Sequence, residues 1–425
     1  MAYFERVHDG ILTEKLQSSG AVLIEGPKWC GKTSTGAHLA KSVIYLQDPD
    51  KRKSYEQLAD TTPSLLLHGD VPHLIDEWQT LPVVWDAVRF AVDQRQKMGQ
   101  FILTGSATPL DDAMAQREIL HSGVGRIARM RMYPMTLWES KNSNGTVSLA
   151  DLFDNNINEL YSESDLTIED IAYQICCGGW PAKTSLNRKR ALDVVYNYVD
   201  ELINVDIHRV DGTEKNPERV RQVLRSYARN ISTMTSATTI MQDVRANDIS
   251  ITDKTLTNYL TALNRLFVTE DLKAWQPSLR SKTAIRSTNK RHFTDPSVAA
   301  AVLGLNPHSV LDDFNLFGYL FEDLCVRDLR VYTLPLRGGL FHYRDHANLE
   351  ADIVVRLYDG RWAAIEVKLG SKQIEDAAKN LIKLESTIDT DKVGKPSFLM
   401  IVTGGQYAYR RKDGVYVVPI GCLKP

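Results

Sequence analysis

The sequence has few cysteines and no long apolar run. Five cysteines in 425 residues are too few for a disulfide framework, and no CxxC or Cys/His spacing suggests a zinc site. Cys176 and Cys177 are adjacent, while Cys30, Cys325 and Cys422 stand alone. Purely apolar stretches end after a few residues, far short of the ~20 that span a bilayer, so no membrane partner is expected. The opening Met-Ala-Tyr-Phe-Glu-Arg has no apolar signal segment, and the cytoplasm is the expected compartment. Nor does one sign of charge dominate: 51 Lys and Arg against 53 Asp and Glu give a net −2. With 43% hydrophobic and 24% charged residues, collagen-like, coiled-coil and disordered chains are excluded. What is present is length for two or three domains, at roughly 150 residues each.

The balanced total hides an asymmetry. Residues 215–292 hold fourteen Lys and Arg against six Asp and Glu. Such a segment either meets a polyanion or is a solvated, salt-bridged surface.

The first part of the chain alternates short β-rich runs (Ala21-Val-Leu-Ile, Ser42-Val-Ile-Tyr, His73-Leu-Ile, Phe101-Ile-Leu-Thr) with helical stretches such as 83–98. That alternation predicts a parallel α/β sheet. Residues 140–165 are rich in Asn, Ser, Gly and Asp and read as an exposed connection. The pattern is helical from 166 to about 266 and turns to alternating strands from about 337, with one helix near 372–389.

Gly26-Pro27-Lys28-Trp29-Cys30-Gly31-Lys32-Thr33 matches G-x4-G-K-[ST] between a strand run and a helical one, the setting a phosphate loop needs. Its backbone N–H groups, continued by Ser34, would cradle phosphates at a helix N-terminus. Lys32 would reach the β- and γ-phosphates and the Thr33 hydroxyl would ligate Mg²⁺. The run His73-Leu-Ile-Asp76-Glu77 then places an acid for the metal, Asp76, beside one that would orient the attacking water, Glu77. Ser106, after the Phe101 run, is placed to sense the γ-phosphate, although a strand-end Ser is also an ordinary turn residue. Arg126 is a candidate arginine finger or a plain surface arginine. Cys30 inside the loop is either redox-active or passive.

Five stretches together carry a resemblance: Glu25-Gly-Pro-Lys-Trp-Cys-Gly-Lys-Thr, Ile75-Asp-Glu-Trp-Gln, Ile102-Leu-Thr-Gly-Ser, Gly125-Arg and Tyr133-Pro-Met-Thr-Leu-Trp-Glu. They resemble a large prokaryotic family of AAA-like P-loop ATPases with a catalytic Glu beside the metal-binding Asp. Later marks are Gly178-Gly-Trp-Pro and Lys290-Arg-His-Phe-Thr-Asp-Pro, so the resemblance runs through nearly the whole chain. It implies ATP as the nucleotide. Two departures are Lys28, where relatives usually have Arg, and Ser106, where many AAA proteins have Asn.

Residues 240–275 read as helix, turn, helix and a short β-like pair, the outline of a winged-helix module. Lys254, Thr257 and Asn258 would face outward from its recognition helix; the module would either contact DNA or act as a spacer. The denser cations Arg280, Lys282, Arg286, Lys290 and Arg291 are the better candidates for phosphate contacts on DNA or another nucleic acid.

Residues 349–368 read as a β-hairpin around Asp359-Gly360. A two-residue loop would set Ile353 opposite Glu366, a poor pair on a half-buried sheet. A three-residue loop, Tyr358-Asp359-Gly360, sets Ile353 against Ile365 and Val355 against Ala363. That register brings Asp352 opposite Glu366, with Lys368 on the same face. These charges either pair across the strands or form a Mg²⁺ phosphodiesterase site, with Asp352 and Glu366 as metal ligands and Lys368 steadying the nucleophile. With Glu322 on a preceding helix, the arrangement resembles the PD-(D/E)XK restriction-endonuclease-like fold. The family's C-terminal domain of unknown function has been likened to that fold.

The expected architecture is therefore α/β: an AAA-like P-loop domain over 1–150, a helical and winged-helix region over 151–280, and a nuclease-like domain over 281–425. The expected function is ATP binding and hydrolysis, with the C-terminal domain acting on or binding nucleic acid. The alternative is a nucleotide-dependent switch or DNA-binding regulator whose nuclease-like domain is inactive. An oligomer is compatible with either.

Overall fold

The computed structural model describes residues 3–105, 123–157, 159–210, 215–246, 250–277 and 288–425. The chain forms two compact units. The first contains Met1–Pro134, Val205–Glu214 and Arg265–Phe267; the second contains Met135–Asn204, Lys215–Asn264 and Val268–Pro425.

The first unit is built on β1 (Ala21–Glu25), β2 (Ser42–Tyr45), β3 (His73–Asp76), β4 (Phe101–Gly105) and β5 (Ile127–Arg131). They pair in parallel in the order β2-β3-β4-β1-β5. Parallel strands need apolar residues on both faces because helices cover both, and β1 satisfies this with four consecutive buried residues, Ala21 to Ile24. Alternation splits them. Ala21 and Leu23 join Ile75, Phe101 and Leu103 against Trp85, Val88 and Val92 of α3 (Val83–Arg95). Val22 and Ile24 join Leu74 and Ile102 against Leu12 and Leu16 of α1 (Val7–Ser18) and Ala37 and Leu39 near the end of α2 (Lys32–Leu39). Each fully buried Val, Leu or Ile is worth ~1.5–3 kcal/mol.

The second unit holds a short parallel pair, β6 (Val147–Ser148) with Leu423–Lys424, and an eight-stranded mixed sheet. Its strands are β7 (Tyr161–Glu163), β8 (Lys273–Ala274), β9 (Gly338–Arg344), β10 (Glu350–Leu357), β11 (Trp362–Lys368), β12 (Leu399–Thr403), β13 (Tyr407–Arg410) and β14 (Tyr416–Pro419). The order is β7-β13-β14-β12-β11-β10-β9-β8. The β10–β11 hairpin takes the three-residue loop: Leu357 N donates to Arg361 O at 2.9 Å, Gly360 has φ +97°, and Ile353 faces Ile365 and Val355 faces Ala363. The sheet is not half-buried as expected. On one face Val354, Trp362 and Ala364 meet the helix Ile374–Thr387, and Ile353, Val355 and Ile365 are buried as well.

The domain boundaries differ from those expected. The first unit's leading segment ends at Pro134, not 150. The polar stretch read as a connection holds the chain's end: Ser143 Oγ donates to Leu423 O at 2.6 Å and Ser148 Oγ to Pro425 O at 2.8 Å. β7 and β8, both before residue 281, complete the C-terminal sheet. The helices Pro217–Arg229, Ala237–Arg245 and Asp253–Arg265 are followed by antiparallel bridges, Thr269 to Phe293 and Leu272 to Lys290.

Two sequence marks meet in one buried knot. Gly179 N donates to Asp295 Oδ2 at 2.8 Å, and Trp180 Nε1 to Ser297 Oγ at 3.0 Å. Gly179 O in turn accepts from Met135 N at 2.6 Å, so closely that a Cβ at Gly179 would lie 2.1 Å from Met135 O. Gly179→Ala should therefore cost about 3 kcal/mol or more, because backbone must shift. Gly318→Ala, inside the helix Phe314–Tyr332 with nothing within 4 Å of the new carbon, should gain about 0.5–1 kcal/mol. Urea unfolding of both variants checks the pair.

Candidate nucleotide site and the C-terminal charge cluster

The phosphate loop leaves β1 at its carboxyl end. Gly26 (φ +155°) and Gly31 (φ +105°) take backbone angles that suit glycine, and a Cβ on Gly26 would fall 2.3 Å from Met132 O. Trp29, at φ +63°, is also left-handed. Gly31 caps α2, whose first N–H groups have no partner within the helix and so face the loop as donors. Ser34 lies exposed in that first turn. Lys32 is buried, its ammonium donating to Gly26 O at 3.0 Å and Pro27 O at 2.8 Å. Arg6 props the loop from behind, donating to Cys30 O at 2.9 Å and Tyr133 O at 2.8 Å. Cys30 is fully buried. Lys28 forms an ion pair with Asp206.

Asp76 is the node of this site. Its Oδ1 accepts from Thr33 Oγ1 and from Thr104 Oγ1, both at 2.7 Å. Thr104 Oγ1 also accepts from Glu77 N at 3.0 Å, and Gln79 Nε2 donates to the Glu77 carboxylate. Glu77 sits at φ +55°, which turns it out of line with β3. Thr33 and Asp76 thus present hard oxygens side by side, a donor set that fits Mg²⁺. Sequence reading missed Thr104 and Gln79. The available signal was a hydroxyl closing an otherwise apolar strand and an amide two residues past the acid pair.

One expected member, Arg126, is not brought here. Ser106 lies outside the described residues. Arg126 pairs with Asp93 at 2.8 Å, and its carbonyl accepts from Ala21 N at 3.1 Å. Ala21 begins β1, whereas the loop follows its end, so Arg126 stands a strand length away, roughly 16 Å. It is not a finger for this loop within its own chain.

In the second unit, Asp352, Glu366, Lys368 and Glu322 do converge. Lys368 Nζ lies 3.2 Å from Asp352 Oδ2 and 2.6 Å from Glu366 Oε2. Val367 N donates to Asp352 Oδ2 at 2.9 Å, and Asn380 Nδ2 to Glu366 Oε1 at 2.8 Å. Glu322 joins through Lys290, whose ammonium is 2.5 Å from Glu322 Oε1 and 3.1 Å from Asp352 Oδ1. Burial pushes both Glu322 and Glu366 up to about 8, against the pull of the neighbouring lysines. Asp352 faces both ammonium groups and is held below the usual carboxylate range in spite of its burial.

This corrects the expected phosphate-contact cluster. Lys290 is 8% exposed and faces inward. Arg291 is internal as well, 2.6 Å from Asp271 Oδ2 and donating to Thr235 O at 2.9 Å. Arg280, Lys282 and Arg286 lie outside the described residues. The oxygens of Asp352 and Glu366, expected as a metal pair, here meet nitrogen donors from Lys290, Lys368, Val367 and Asn380. Among the described residues no group of three or more His, Cys, Asp or Glu is arranged to hold a metal ion.

Beside the cluster, His292 is fully buried with Nδ1 2.7 Å from Asp323 Oδ1. Burial, aided by Arg330 and Lys290, holds the imidazole well below its usual 6.5. The folded state keeps it neutral while the unfolded chain takes up a proton, so stability present above about pH 6.5 is lost as pH falls. His292→Gln should be less stable at neutral pH, yet its stability should fall less steeply below about pH 6.5, by about 1 kcal/mol per pH unit. Denaturant titrations across that range check the slope.

Comparison with known proteins agrees with the first site. A family model described as an AAA domain matches residues 18–141. Two models described as domains of unknown function, DUF8612 and DUF4143, match residues 168–309 and 317–423. No curated protein matches. The fold is similar to a Walker-type ATPase of Pyrococcus abyssi, with 14% identity, a TM-score of 0.43, and coverage of 71% of this chain and 96% of that one. It is also similar to the ORC2 protein of Aeropyrum pernix (13%, TM-score 0.31, 70% and 90%) and to DnaA of Aquifex aeolicus (14%, TM-score 0.27, 62% and 89%). Residues 18–141 thus match an AAA domain and carry the phosphate loop, and two further segments match domains of unknown function.

Proposed function

We propose that the first unit binds and hydrolyses ATP with Mg²⁺ and that the protein works as a nucleotide-dependent switch. The observation that carries this reading is the 2.7 Å hydrogen bond between Thr33 and Asp76. It sets the loop hydroxyl against the acid at the carboxyl end of the parallel sheet, beside the N-terminus of α2. In this reading the loop N–H groups hold the β-phosphate, and Lys32 leaves the loop carbonyls for the β- and γ-oxygens. Thr33 and Asp76 hold Mg²⁺, which when bound neutralises charge on those oxygens. Glu77 orients and polarises the attacking water, and Gln79 and Thr104 fix where Glu77 points. The match of residues 18–141 to an AAA domain supports this reading.

Lys32→Ala should weaken ATP binding at least tenfold, a loss of about 1.4 kcal/mol. Glu77→Gln should keep affinity within a few-fold yet lower turnover by roughly 10²–10⁴, because water positioning is lost while the cradle remains. Calorimetric binding and phosphate release separate the two. Unchanged turnover in Glu77→Gln would remove Glu77 from its role.

Nucleic acid is the partner we propose for the second unit, through the helix Asp253–Arg265. Lys254, Thr257 and Asn258 are all exposed on its first turns. Lys254→Ala should lower affinity for all sequences alike and reduce the slope of log K against log salt by about 1. A slope that does not move would leave the helix as a spacer.

A further inference from the structure

We infer that Lys290 is the resident cation of the C-terminal carboxylate cluster, standing where a divalent metal would otherwise bridge Glu322 and Asp352. The charged groups form one unbroken line. Glu322 meets Lys290 at 2.5 Å, Lys290 meets Asp352 at 3.1 Å, Asp352 meets Lys368 at 3.2 Å and Lys368 meets Glu366 at 2.6 Å. Acid and ammonium alternate at every step, so no two carboxylates are neighbours without a cation between them. Burial favours the neutral form of Glu322 and Glu366, and each ammonium in the line pulls against it.

The coordination count leads to the same conclusion. Mg²⁺ asks for near-octahedral oxygens at ~2.0–2.1 Å. Asp352 Oδ1 is taken by Lys290, and Oδ2 by Lys368 and the Val367 N–H. Glu366 Oε1 is taken by Asn380 and Oε2 by Lys368. A dication entering this line would displace at least one ammonium or stand against it at close range.

Lys290 is also built in at the backbone. Its N donates to Leu272 O and its O accepts from Leu272 N, both at 2.9 Å. The next residue, Arg291, donates its N to Thr233 O at 2.8 Å, and His292 is pinned to Asp323. An ammonium on a backbone clamped from both sides has little freedom to swing out and admit an ion. Lys368, one face of β11 away, belongs to the hairpin and completes the line from the other end.

The test uses the full chain without nucleotide and Mn²⁺ as the probe, followed by calorimetry and by the effect of Mn²⁺ on thermal unfolding. The wild type should show no Mn²⁺ uptake that Asp352→Asn removes, up to millimolar concentration. Lys290→Met keeps an unbranched side chain one atom shorter and deletes the charge. It should gain an Mn²⁺ site at least tenfold tighter than any in the wild type, and the added Asp352→Asn substitution should abolish that gain. Lys290→Arg, which keeps a cation, should gain none. If Lys290→Met does not fold in metal-free buffer, millimolar Mn²⁺ should restore its unfolding transition, the ion replacing the missing charge. Three results would overturn the inference: an Asp352-dependent Mn²⁺ site in the wild type, a folded Lys290→Met chain that gains no site, or an unfolded one that Mn²⁺ does not rescue. The outcome does not depend on ATP hydrolysis, so it stands or falls apart from the proposed function.

Discussion

The second unit is organised around one buried guanidinium. Arg327 has 1% of its surface exposed and donates to Asp295 Oδ2 at 3.0 Å and to Asp328 Oδ1 at 2.7 Å. A charge in that position is tolerated only because both acids close around it, and removing one partner would leave an uncompensated ion at a cost of about 3–5 kcal/mol. The acids then reach outward. Asp328 Oδ2 accepts from Leu137 N at 2.9 Å, and Asp295 Oδ2 accepts from Gly179 N. Three stretches far apart in sequence, those of Leu137, Gly179 and Asp295, are thereby fixed to the helix Phe314–Tyr332. The same helix carries Glu322 and Asp323 just over one turn before Arg327, so the knot that fixes its rotation also fixes where Lys290 and His292 find their acids.

In the first unit the corresponding node is Asp76. One oxygen of this residue ties the start of α2 through Thr33 to the end of β4 through Thr104. The strand order makes this direct, since β4 lies between β1 and β3. The acid that follows is turned aside by its left-handed backbone, which separates the two carboxylates into different surroundings. The chemistry proposed for them, one for metal and one for water, needs that separation.

How much of this was legible follows from how local each signal is. The phosphate loop, the acid pair after an apolar run and the hairpin register all depend on neighbours within a few residues. Ile353 facing Ile365 could be derived because a one-residue slip would have buried a charge against an isoleucine. Lys290 could not be placed this way. It follows several cations in a polar stretch, and the partners that bury it, Glu322 and Asp352, come from a helix and a strand far along the chain. Arg126 failed for a related reason: its nearness in sequence to β5 is real, but it enters that strand at the end opposite the loop. The polar run near residue 145 looked like a connection because its hydroxyls satisfy the carbonyls of the chain's last residues, a pairing no local pattern announces.

The first unit draws on residues 205–214 and 265–267, whereas the stretches that flank them, 135–204, 215–264 and 268–425, belong to the second. Asp206, within the earlier insertion, supplies the carboxylate for Lys28 of the phosphate loop. On a ribosome, the sheet and loop would emerge long before their last pieces. The nucleotide domain of a nascent chain therefore waits, with Lys28 unpaired, until residues beyond 206 have cleared the exit tunnel. Closure of the phosphate-loop surroundings in this sense follows synthesis of the loop itself, and a chain stopped before residue 206 would carry every residue of the loop without the acid that completes it.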